Sequence, residues 1–168
     1  MQIRSLVVLL FLLPAAGVLA QKASMFTETA IVLNVDSVAV KANEIVKPGT
    51  VTMIVLWNSM MRPAIAELDS LHKVYPLWKE KYGVEIIALA WEYPKRPENF
   101  KKFLARRSAW QFTIYRDPEI NFGGALRATS MPATYFLDKE GKMVQKMTGF
   151  DAIDLPKYEE QLKGMTKN

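Results

Sequence analysis

Two short stretches of the chain carry most of the side chains that could do chemistry. Met60, Met61 and Met131 supply three thioethers, Arg62 a guanidinium and Glu67 a carboxyl. Thioethers can hold a soft ion such as Cu(I), but their commoner use is to fill irregular apolar space. Arg62 stands where a helix should begin, and a cation there opposes the helix dipole. It either binds an anion together with the free N–H groups of the first turn or simply points into solvent. Glu67 is either a semi-buried carboxyl with a raised pKa or, as is commoner for a helix glutamate, a surface carboxylate paired with a nearby Lys or Arg. The one histidine, His72, has no partners that would make a triad and reads as a helix-surface residue.

Absences narrow the chemistry further. The 168 residues include no cysteine. That removes a thiolate nucleophile, a thiolate metal ligand and a redox pair. Gly123-Gly124 lacks the rest of any phosphate-binding loop. The net charge of +5 is a mild excess of scattered Lys and Arg, densest from Lys95 to Arg107, and reads as a solvated helix face rather than a nucleic-acid surface. No cofactor and no nucleic-acid partner are expected.

Half of the residues are hydrophobic, enough for one domain with a substantial core. Residues 1–20 read as a secretory signal. Arg4 precedes the apolar run Leu6 to Leu13, Pro14 breaks it, and Val18-Leu19-Ala20 suits cleavage after Ala20. The run is too short for a comfortable membrane span, and Gln21 in place of Cys excludes a lipoprotein. Residues 21–29 form a polar lead-in and residues 30–168 the domain. The expected location is periplasmic or secreted, with no stable membrane span after cleavage.

Within the domain, Ala30 to Val40 reads as two short strands and a turn. Val51 to Trp57 is a strand buried on both faces. A helix should run from Arg62 to Tyr82, with Pro63 in its first turn, a kink or break at Pro76 and Gly83 as its C-terminal cap. Val84 to Trp91 is a second buried strand, Pro97 to Ser108 a helix and Phe112 to Tyr115 a strand. Asp117-Pro118 opens a short helix. Thr134 to Leu137 and Lys142 to Met147 form a hairpin, and Leu155 to Met165 closes the chain as a helix. Strands alternating with helices imply an α/β fold with a largely parallel core sheet covered on both faces.

This order, together with two motifs, resembles the thioredoxin fold in its TlpA-like, or redoxin, version. The first motif is Trp57-Asn58-Ser59-Met60-Met61-Arg62-Pro63-Ala64-Ile65-Ala66-Glu67, similar to the family's W-C-x-x-C-x-x-E-x-P after a strand ending in Trp. Met60 stands at the family's second Trp, Met61 at the first Cys, Ala64 at the second Cys, Glu67 at the Glu and Asp69 at the closing Pro. The second is Met131-Pro132-Ala133-Thr134-Tyr135-Phe136-Leu137-Asp138, similar to the family's V-P-T-T-F-L-I-D. The resemblance implies a thioredoxin-like mixed sheet flanked by helices, with an N-terminal β-hairpin extension and a cis bond at Met131-Pro132.

It also implies a degenerate member. In the family the first Cys attacks a disulfide, the second resolves it, and the Glu handles protons for the second. Met61 cannot ionise, a thioether cannot exchange, and Ala64 leaves Glu67 without a partner. The expected function is a redox-inactive module of the cell envelope that binds an exported protein or peptide. Its groove would comprise Trp57, Met60, Met61, Arg62, Pro63, Glu67, Met131 and Pro132, with no catalytic residue and no metal. Met60, Met61 and Met131 should converge. The alternative is an enzyme or Cu(I) carrier at the same cleft.

Overall fold

The computed structural model describes residues 30–92 and 97–166. The expected signal at 1–20 and lead-in at 21–29 lie outside the described residues. The described residues begin with a hairpin, β1 (Ile31–Asn34) and β2 (Ala39–Lys41), followed by a short helix, α1 (Ala42–Ile45). Then come β3 (Thr52–Trp57), α2 (Arg62–Tyr82), β4 (Glu85–Ala90), α3 (Pro97–Ala105), β5 (Thr113–Arg116) and α4 (Asn121–Ala125). The hairpin β6 (Ala133–Leu137) and β7 (Met143–Thr148), a 3-10 turn at Ala152–Asp154 and α5 (Leu155–Met165) finish the fold.

The strands form one seven-stranded sheet in the order β2-β1-β5-β4-β3-β6-β7. β3 is parallel to β4 and β4 to β5, while β6, β7, β1 and β2 run antiparallel to their neighbours. Every residue of β3 is buried, as an apolar run without alternation demands of a central strand. The period-2 rule then sends its side chains to two cores. Met53, Val55 and Trp57 join α2, α3 and α5 on one face, where Leu68, Leu71, Tyr75, Phe100 and Tyr158 pack. Ile54 and Leu56 join α1 and α4 on the other, with Ile45, Phe122 and Tyr135. Among the described residues no helix is long and apolar enough to cross a membrane.

Three local expectations change. α2 runs through Pro76 without a break. A proline inside a helix costs about 3 kcal/mol, but Tyr75 and Trp78 on either side are each only 2% exposed. Burying two such rings is worth about 2–3 kcal/mol apiece, and the Tyr75 hydroxyl also donates to Glu85 Oε2 at 2.8 Å. α3 stops at Ala105 rather than Ser108, because the Arg106 and Arg107 N–H groups bond the carbonyls of Phe103 and Leu104 three residues back. This tighter path lets Trp110 turn into the core. α1 had no counterpart in the sequence pattern; its four residues are held by the burial of Ala42 and Ile45.

Two glycines are required where they stand. Gly83 ends α2 in the left-handed region (φ 62°), and its N–H bonds the Lys79 carbonyl at 3.0 Å. Gly123 lies under the Trp91 indole, where any Cβ would overlap the ring.

Candidate functional site

The C-terminal end of β3 and the N-terminal end of β6 meet at one end of the sheet. Leu56 faces Ala133 in antiparallel register, so the chain just beyond each residue, towards Met61 and towards Met131, emerges at the same end. The Met131–Pro132 peptide bond is cis. The Pro132 carbonyl accepts the Gly149 N–H at 2.9 Å.

The loop from Trp57 to α2 is held by short bonds. The Met61 N–H donates to the Asn58 carbonyl at 3.0 Å, and the Met60 N–H donates to Asn58 Oδ1 at 2.9 Å. Two groups beyond β4 anchor the loop from the side: Asn58 Nδ2 donates to the Trp91 carbonyl at 2.6 Å, and the Ser59 N–H donates to Glu92 Oε1 at 2.5 Å. Neither Asn58 nor Glu92 stood out as a site residue in the sequence. Their role depends on β3 and β4 being neighbours, which no local pattern records.

α2 then begins at Arg62 with Pro63 in its first turn and no side-chain cap from Met61. Its first turn has no acidic residue. Arg62 and Pro63 are exposed, Met61 is half-buried and Met60 is 89% exposed. Ala64 is fully buried. Met61 thus stands at the mouth of the helix and Ala64 inside it, carrying a thioether and a methyl group.

Several expected groove residues are not at the surface. Trp57 is fully buried. Its ring lies 5.8 Å from Phe100, 5.6 Å from Phe103 and 5.5 Å, edge-on, from Trp110. It is the centre of an aromatic cluster: β3 is covered on both faces, and its alternation puts Trp57 on the side of α2, α3 and α5. Glu67 and Pro132 are buried too. None of these three side chains stands exposed at the surface. The surface that remains is Met60, Arg62 and Pro63, with Met61 and Met131 half-exposed. Nor do the three thioethers share one packing environment. Met61 packs against the core on the α2 side of the sheet, Met131 against the core on the other, and Met60 reaches solvent. Among the described residues no group of three or more His, Asp and Glu side chains could hold a metal ion. His72 is half-buried, and its Nδ1 finds no partner among the described residues.

Glu67 is the buried polar centre. One of its oxygens, Oε1, accepts the Thr134 hydroxyl from β6 in a short hydrogen bond and the Tyr158 hydroxyl from α5 at 2.8 Å. The other, Oε2, is buried without a partner among the described residues. Burial raises its pKa from 4.5 to about 7, against the two hydroxyl bonds, which pull it down; Asp154 adds to the rise. Burial, and then the Glu67 charge, also push the Tyr158 phenol up. The surface ion pair is thus replaced by a carboxyl linking α2, β6 and α5. The tip of Tyr158 was the available signal in the sequence: a tyrosine on an apolar helix stripe brings a hydroxyl that must find a partner inside.

This arrangement can be set beside known proteins. Residues 19–146, most of the chain, match the AhpC/TSA family. The chain belongs to that family. As an AhpC/TSA member it is similar to the thiol-disulfide oxidoreductase ResA of Bacillus cereus, at 32% identity over 109 residues, 64% of this chain and 57% of the relative. It is 31% identical over 108 residues to ResA of Geobacillus kaustophilus, covering 64% and 60%. The chain thus spans less than two thirds of the length of these curated relatives. A thioredoxin-like protein from Porphyromonas gingivalis superposes with a TM-score of 0.72 at 22% identity, covering 86% of this chain and 93% of that one. StoA from Bacillus subtilis superposes at 0.61 with 16% identity, covering 77% and 94%. These likenesses establish the thioredoxin-like α/β fold with a mixed sheet between helices. Against relatives named for thiol–disulfide chemistry, this AhpC/TSA member has no cysteine.

Proposed function

We propose that this AhpC/TSA member is a redox-inert, exported binding module, holding an extended segment of another exported protein or peptide at the mouth of α2. One observation carries the proposal. The positions that would bear the dithiol hold Met61 and Ala64, and the surface around them is accessible through Met60, Arg62, Pro63 and Met131. A thioether has no proton to lose and no exchange chemistry with a disulfide, so what survives at this end of the sheet is contact surface. Met60, 89% exposed, gives an adaptable apolar contact of the kind used at tolerant binding surfaces, and Arg62 adds a cation that favours a carboxylate-bearing partner. An extended segment would add backbone pairing to these side-chain contacts. Export follows from the signal-like residues 1–20, with the mature chain starting at Gln21.

A peptide array probed with the protein and with Met131→Arg tests the proposal. Met131 is half-buried and packs against one core, so an unchanged circular dichroism spectrum first establishes that the variant is folded; binding should then fall at least about tenfold, or about 1.4 kcal/mol. Equal binding by both proteins would remove the proposal. Detectable insulin reduction by the unaltered protein would remove its redox-inert half.

A further inference from the structure

A second surface lies at the other end of β5 and shares no residue with the one just described. β1 pairs with β5 only at Arg116 and Tyr115. Beyond Asn34 the chain reverses, because Asn34 Oδ1 accepts the N–H groups of Asp36 and Val38 at 2.9 Å each and Ser37 adopts φ 66°. The turn is pinned from below by Arg116, which is only 3% exposed and donates to Ser37 Oγ at 2.7 Å. Thr113 and Ile114 are therefore left without a β1 neighbour, and a cleft of about 600 Å³ opens between the turn and α3.

The lining of this cleft is sorted by chemistry. Its floor is apolar, formed by Leu104, Trp110, Phe112 and Ile114, and its charged groups are the cations Lys101 and Arg107 and the carboxylate Asp36. Both cations have spare capacity. Among the described residues Lys101 pairs with Asp36, at 3.3 Å between side chains 50% and 72% exposed, and an exposed pair of that kind is worth about 0–1 kcal/mol. The Arg107 guanidinium stacks 4.1 Å from the Phe103 ring. Its Nε is buried with no hydrogen-bond partner among the described residues. The nearest carboxylate oxygen, Asp69 Oδ1, is 3.7 Å away and already accepts the Trp110 indole N–H at 2.9 Å. The Nε is thus turned to the interior beside Asp69, and the part of the Arg107 side chain open to a ligand in the cleft is the quarter of it that stays exposed.

We infer that the cleft between the β1–β2 turn, α3 and β5 binds a small amphipathic carboxylate, its apolar body on Trp110, Phe112 and Ile114 and its anion between Lys101 and Arg107. The volume falls within the range of ligand pockets, about 300–1,000 Å³, and an apolar floor with a few convergent polar groups is their usual composition. The inference does not rest on the binding-module proposal, and either can fail alone.

Decanoate serves as the probe and decanol as its uncharged counterpart. Both are titrated into 15N-labelled protein, with the Trp110 indole N–H and the Ile114 amide as reporters. The expected result is saturable one-to-one binding of decanoate at these reporters and binding by decanol at least about tenfold weaker. Lys101→Glu, at an exposed position, should weaken decanoate by a similar factor. Ala105→Trp, an exposed cleft residue whose new ring would fill the space, should abolish binding while leaving the spectrum folded. Unsaturable shifts spread over the surface, equal binding of decanol, or unchanged binding in Ala105→Trp would each overturn the inference.

Discussion

Replacing Glu67 by glutamine should flatten the pH dependence of stability across the range where this carboxyl differs between folded and unfolded chains. In the unfolded chain it ionises near 4.5, whereas the folded protein keeps its proton until about 7. Between those values the folded state binds more protons, so stability falls as pH rises. The contribution is fully present below about 4.5 and lost by about 7. A difference of about 2.5 pH units at roughly 1.36 kcal/mol each amounts to about 3 kcal/mol. Little of this is screened by solvent, because the residue is 0% exposed. Glutamine keeps an oxygen for the Thr134 and Tyr158 hydroxyls but has nothing to ionise. Its amide nitrogen would occupy the place of Oε2, which is buried without a partner, at a cost of about 1–3 kcal/mol at every pH. The slope and not the height of the profile is therefore the readout. Burial also pushes the Asp117 carboxyl up, which adds a slope of the same sign to both proteins and cancels in their difference. Urea unfolding from about pH 4 to about pH 8 gives the free energy at each point. The stability of the unaltered protein relative to Glu67→Gln should fall by about 3 kcal/mol as pH rises through this range, whether or not the two profiles cross. Parallel profiles would refute the reasoning, since they would mean that burial does not hold the Glu67 proton.

Two further outcomes follow from the same geometry. Met61→Cys combined with Ala64→Cys places one thiol on the extended residue that precedes α2 and the other in the first turn of α2, and the pair bridges only if the two Cβ atoms come within about 4.5 Å. Mild oxidation should remove both free thiols reversibly, and the reduced double variant should reduce insulin where the unaltered protein does not; two thiols that persist under oxidant would show that these positions do not face each other. Trp57→Ala should lower the unfolding free energy by about 3–5 kcal/mol, read from the urea midpoint, since the ring is fully buried among Phe100, Phe103 and Trp110. A loss under about 1 kcal/mol would place Trp57 at the surface after all.

What the sequence determined by itself is mostly what local rules can reach. The continuous apolar run of β3, the three-and-four spacing of α2 and its glycine cap each carry their own physical signature, and the two motifs placed Met61, Ala64 and Glu67 on known elements. The loss of both cysteines, and with it the loss of thiolate chemistry, needs no coordinates. The tertiary structure decided which of the marked residues face solvent. Trp57 and Pro132 were assigned to a groove by their motif positions, yet β3 is covered on both faces and buries Trp57, and Pro132 is buried just before β6. Glu67 could have been a surface carboxylate on any isolated helix; it became a buried one because β6 and α5, far away in the chain, bring Thr134 and Tyr158 to it. The cleft beside β5 has the same origin. It exists because an asparagine reverses β1 before its pairing is complete, and only the packing of α3 shows what that early turn leaves open.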